Sequence, residues 1–137
     1  MPDDPKSWRH AALEREHGIP EDFYCGLSPE AMSRAIVAYH GGPPRPGEPV
    51  GYDPSAAPET RLGWLHEAFG PDADVERIRI QEQFFSARVD ELLNLDWKLP
   101  AAEFDRAVEE GLVRHAPDLT EEARRVIAGN YSYSHWK

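Results

Sequence analysis

His10, Glu14 and His17 recur at i, i+4 and i+7, a spacing that on a helix sets two imidazoles and a carboxylate on one side, as a helix-borne transition-metal site requires. That side lies opposite Trp8 and Ala12, so an ordinary solvated face explains the same pattern. Glu14 and His17 also form one Glu-x-x-His pair, but no second pair follows, and a di-iron carboxylate bundle needs two. Asp72, Asp74 and Glu76 have the alternation of a calcium loop without its sixth-position glycine or closing glutamate, and read as carboxylates gathered at a helix start. Cys25, the single cysteine, lies close to a helix start, where a thiolate can be stabilised. A nucleophile also needs a base and an orienting group, and no histidine is spaced for that role, so Cys25 reads as a small buried apolar residue.

Aromatic side chains supply a different kind of chemistry. The segment Tyr131-Ser132-Tyr133-Ser134-His135-Trp136-Lys137 carries three rings and an imidazole where a polar, frayed terminus is the norm. Such a tail either docks on the fold as a lock or grips a ligand. If it is extended, alternation places Tyr131, Tyr133 and His135 on one side and Trp136 on the other. A pocket lined by Tyr52, Trp64, Tyr131, Tyr133, His135 and Trp136 would suit a small enzyme or a small-molecule binder, with tyrosine and histidine as acid and base. His66 and His115 fall on apolar faces and read as core histidines bonded to backbone carbonyls.

Net charge points elsewhere. Acidic residues outnumber basic ones 25 to 15, for a formal charge of −10, which argues against direct nucleic-acid binding, since phosphates need a clustered basic surface. Between Asp90 and Glu122 lie ten carboxylates against Lys98, Arg106 and Arg114. An acidic pole with aromatic anchors is the profile of small inhibitors, immunity proteins among them, that capture basic enzymes. The leading expectation is therefore a non-enzymatic cytoplasmic protein that binds a basic protein partner through Asp105, Glu109, Glu110, Tyr133 and Trp136. The pocket protein and the metal-binding helix are the alternatives. Phosphate-cradling glycine motifs, paired-cysteine zinc spacings and the nucleophile elbow are missing, so no cofactor is indicated. No apolar run is long enough for a membrane span or placed as a signal peptide.

The elements that must position these groups read as helices throughout, giving an all-α fold: a small bundle of five or six short helices in a single domain over residues 1–137. Helices are expected from Ser7 to His17, from the cap Ser28 to His40, from Glu59 to Phe69, from the cap Asp74 to about Leu95, from Ala101 to His115, and onward from the cap Thr120. The Asp74 helix is apolar on two sides, with Val75, Ile78, Phe85, Val89, Leu92 and Leu93 on one and Ile80, Phe84 and Ala87 on the other, and should be central. Gly111 lies on the inner face of its helix and permits a close crossing. Between Gly41 and Pro58, six prolines and four glycines exclude helix and central strand, predicting a long, stiff loop. Gly129-Asn130 should end the last helix and release the aromatic tail.

Overall fold

The computed structural model describes residues 18–19, 22–42 and 55–136. The helix expected before Gly18 and residues 43–54 of the proline-rich loop lie outside the described residues, and His10, Glu14, His17 and Tyr52 with them. The rest is all-α: five helices and no strand among the described residues. None of these helices is long and apolar enough to cross a membrane.

Each start and stop has a local cause. The first helix, α1, covers Pro29–Ile36: Ser28 is extended, its Oγ accepts the Ala31 N–H at 3.0 Å, and Pro29 occupies the first turn, where a missing N–H costs nothing. The chain then widens into a π-helical turn, Val37–Gly41, and leaves it at Gly42 with φ +77°, a left-handed conformation that suits glycine. Helix α2, Pro58–Phe69, begins on a proline and stops at Gly70, φ +103°. Helix α3, Val75–Leu93, is capped by Asp74, whose carboxylate accepts the Arg77 N–H at 3.2 Å, and stops at left-handed Asn94, slightly short of the Leu95 expected. Helix α4 is Ala101–His115. Helix α5, Glu121–Trp136, starts at Thr120, whose Oγ1 accepts the Ala123 N–H at 3.2 Å.

Two apolar clusters hold these helices. The larger joins Met32 and Ile36 of α1 to Phe84, Phe85 and Val89 of α3, Phe104, Val108 and Leu112 of α4, and Ala123 and Val126 of α5. The smaller collects Ala35, Ala38, Leu65 and Val75, with Phe69 and Ile78 at its edge. Helix α3 packs against α1, α2 and α4. Its two apolar sides are divided along its length rather than around its girth: Val75 and Ile78 enter the smaller cluster, while Phe84 and Phe85 both enter the larger one. Leu92, expected inside, is 42% exposed.

Helices α4 and α5 form the most extensive pair. On the other side of α4, a Cβ at Gly111 would run into the end of the Leu93 side chain of α3, so a larger residue there fits only if that side chain moves. Gly111→Ala should therefore lower stability by about 1 kcal/mol in urea denaturation, overpacking outweighing the better helix propensity of alanine. In a Leu93→Ala background the obstruction is gone, and the same change should raise stability by up to about 1 kcal/mol. An equal loss in both backgrounds would show that this contact does not set the crossing.

Candidate functional site

The aromatic tail is helical, which corrects the expectation of a release at Gly129-Asn130 and of strand-like alternation beyond it. Helical spacing turns Tyr131 and His135 to the same side and leaves Tyr133 outward, 38% exposed. Tertiary contacts outweigh the cost of about 1 kcal/mol for glycine inside a helix. Tyr131 donates its O–H to Asp90 Oδ1 at 3.0 Å, Ser132 donates to Asp105 Oδ1, and His135 donates from Nε2 to the Leu99 carbonyl at 3.0 Å. The His135 ring stacks on Phe104 at 4.2 Å between centroids, and Trp97 closes the cluster over Phe104. Burial first, then the Asp90 charge and the hydrogen bond to it, hold the Tyr131 phenol well above the usual 10.0.

A second polar group lies inside the bundle. Glu82, only 2% exposed, accepts at Oε1 from His40 Nε2 and from the Ser86 hydroxyl, each at 2.8 Å. Here the acid, not the imidazole, stands in the middle, so the serine–histidine–acid order of a catalytic triad is absent. The cavity beside it, lined also by Asn130 and Tyr131, measures only about 30 Å³, the share of one water molecule. The arrangement suits anchoring of the π-helical turn, not turnover of a substrate.

The large concavity lies on the opposite side of that turn. Helices α1 and α2, the π-helical turn and the start of α5 border an open groove of about 510 Å³. Val37, Ala38 and Ala68 give it apolar lining, and Trp64 forms a wall whose outer ring carbons lie 3.1 to 3.3 Å from where a Cβ on Gly42 would sit. The buried Ser33 hydroxyl accepts the Thr120 N–H at 3.0 Å and so fixes the start of α5 against α1. On the α2 side, buried Arg61 donates to the Tyr39 carbonyl at 2.6 Å and to the Ala56 carbonyl at 3.2 Å, joining α2 to the π-helical turn. Three exposed carboxylates, Glu30, Glu67 and Glu122, border the groove together with Arg34, whose guanidinium lies 5.4 Å over the Phe69 ring. Among the described residues none of the three carboxylates has an ion pair or a side-chain hydrogen bond.

The residues expected to share a site are distributed over several places. Trp64 lines the groove, whereas Tyr131 and His135 belong to the cluster around Phe104, so these three do not converge on one pocket. Tyr133 is on the outer surface of α5; Trp136 belongs to α5, but its side chain lies outside the described residues. Glu109 and Glu110 are exposed on α4, and Asp105 is half-buried beneath Ser132. His66 Nδ1 contacts the Gly70 carbonyl at 3.3 Å, and Cys25 is fully buried, its Sγ 3.3 Å from Arg88 Nη1. Sequence reading did not single out Glu30 or Glu67 and counted Glu122 only as the last acid of the acidic stretch; the three lie in separate helices. Their signal was available only at Glu67, a carboxylate near the C-terminal end of a predicted helix.

The raised Tyr131 pKa has a testable pH consequence. Above pH 10 the unfolded chain loses the phenol proton while the folded chain keeps it, so stability is complete below pH 10 and falls as pH rises towards the folded value. Tyr131→Phe should make that alkaline decline shallower without abolishing it, because burial and Asp118 also raise Tyr24. Denaturation curves across the alkaline range would read this directly; an unchanged slope would mean that Tyr131 ionises freely. Compared with known protein families, curated sequences and solved structures, the chain shows no significant match in any of the three.

Proposed function

We propose that the protein is a non-enzymatic binding protein whose groove between α1, α2 and α5 receives a basic segment of a protein partner. The observation that carries this reading is Glu67. Glu30 and Glu122 stand in the first turns of α1 and α5, where a carboxylate is stabilised by the helix dipole at about 0.3–1 kcal/mol, so their placement has a structural explanation. Glu67 stands in the last turn of α2, where the same dipole opposes it, and no described cation is paired with it. A charge kept against the local preference, at the edge of an apolar groove, is what a binding site looks like before its ligand arrives.

Size and charge support the same reading. Ligand sites commonly enclose about 300–1,000 Å³, and the groove falls within that range. Three carboxylates against Arg34 leave its border net acidic, in a molecule of formal charge −10 that attracts basic partners over a distance. The acidic stretch from Asp90 to Glu122, by contrast, is partly engaged internally: Asp90 with Tyr131, Asp105 with Ser132, Asp96 with the Lys98 N–H, and Glu121 with Arg125. Those four carboxylates contribute attraction at long range, whereas Glu122, the last acid of the stretch, stands at the groove border itself.

Titration with a short peptide of alternating basic and small apolar residues tests the reading. The wild-type protein should bind it, with affinity falling as salt screens the border carboxylates. Glu67→Gln should weaken binding by roughly threefold to tenfold and also raise folding stability by a few tenths of a kcal/mol, since an unfavourable charge leaves the end of α2. Glu109→Gln with Glu110→Gln should leave affinity nearly unchanged at moderate salt. A peptide that ignores Glu67 and responds to the α4 pair would place recognition on the acidic face instead.

A further inference from the structure

Resting on the groove as the recognition site, we infer that its occupant is an arginine side chain of the partner, preferred over lysine, with Trp64 as the residue that sets the preference. The border carries three carboxylates, Glu30, Glu67 and Glu122, against Arg34, and so remains attractive to a further cationic side chain. The walls are an indole and the aliphatic side chains Val37, Ala38 and Ala68. An ammonium keeps a tight hydration shell and loses much by entering such surroundings. A guanidinium is more weakly hydrated, packs flat on an aromatic surface, and still offers N–H pairs to a carboxylate such as Glu67.

The protein itself uses this contact twice beside the groove. Arg34 lies 5.4 Å over Phe69 and Arg61 lies 5.7 Å over Tyr39, both at the α1–α2 junction. In each case an arginine from one element covers a ring from its neighbour. Trp64 is the aromatic side chain that lines the groove, and the carboxylates around it have no described cation. Gly42 belongs to the same device. A side chain there would meet the outer carbons of the indole at 3.1 to 3.3 Å and displace the wall, besides straining a backbone at φ +77°.

Blocked tripeptides Gly-Xaa-Gly, with arginine, lysine or citrulline at the centre, distinguish the possibilities when titrated into the full chain and followed by NMR at the backbone amides of Ala38, Gly42 and Ala68, probes that Trp64 variants retain. The arginine peptide should bind at least about fivefold more tightly than the lysine peptide, and neutral citrulline should bind least. Equal or tighter binding of lysine would overturn the arginine preference and leave the basic-segment reading intact. Failure of both cationic peptides to bind better than citrulline would overturn both. Trp64→Leu should remove the difference between arginine and lysine while the cations still exceed citrulline. Should that variant not fold, Trp64→Phe with a weakened preference serves the same purpose, and an unchanged preference in either variant would sink the role given to Trp64.

Discussion

A carboxylate buried in a small helical bundle must be matched or it destabilises the fold by several kcal/mol, and Glu82 is matched on two sides. Ser86, one turn on in α3, donates one hydrogen bond, and His40 donates the other from across the interface. That second bond has long reach. His40 lies within the π-helical turn, so drawing its imzidazole towards α3 fixes how the turn is oriented, and hence where Ala38 and Gly42 face on its other side. Gly42 in turn receives Trp64. The shape of an exposed groove thus depends on a hydrogen bond inside the bundle, and the extra residue per turn of the π-helix makes the two orientations compatible.

The two apolar clusters divide the work in a similar way. The larger one, built on Phe85, Phe104 and the α4–α5 pair, carries most of the burial and includes the aromatic contacts of the last helix. The smaller one has only four buried members, Ala35, Ala38, Leu65 and Val75, two of them alanines that bring α1 and the π-helical turn close to α2. Small residues leave little apolar area to hold that junction, and the Arg61 bonds to the carbonyls of Tyr39 and Ala56 supplement it. The groove lies on this lighter side of the bundle. The less heavily packed side of a fold opens locally at lower cost, while the heavy cluster supplies overall stability.

Much of the architecture was legible because its signals are local. Ser28, Asp74 and Thr120 cap helices as their side-chain chemistry dictates, and Gly111 lies where a methyl group would run into the Leu93 side chain of α3. Gly129-Asn130 misled for the opposite reason: propensity is a weak local term, and Tyr131, Ser132 and His135 gain partners on α3, on α4 and just before α4 as the helix continues. The π-helical turn has no periodicity that would separate it from an ordinary helix end. The groove was illegible because Glu30, Glu67 and Glu122 are brought to one border solely by tertiary packing, while Trp64, expected in a pocket, gave no sign of the neighbours it would have there.

The groove proposed as the recognition site differs from what the density of acids along the chain suggests, because the two rank carboxylates differently. A carboxylate that already accepts a hydrogen bond, as Asp90 and Asp105 do, must give up that bond before it can serve a partner, so its net value to binding is reduced by what it loses. An unengaged carboxylate beside an apolar wall loses only water, and the wall lowers the local dielectric that weakens its attraction. Counting charge in sequence ranks the first kind above the second wherever acids cluster. Ranking by unsatisfied interaction puts Glu67, an acid at the end of a helix whose dipole opposes it, ahead of Asp90, Asp96, Asp105 and Glu121, which already have partners.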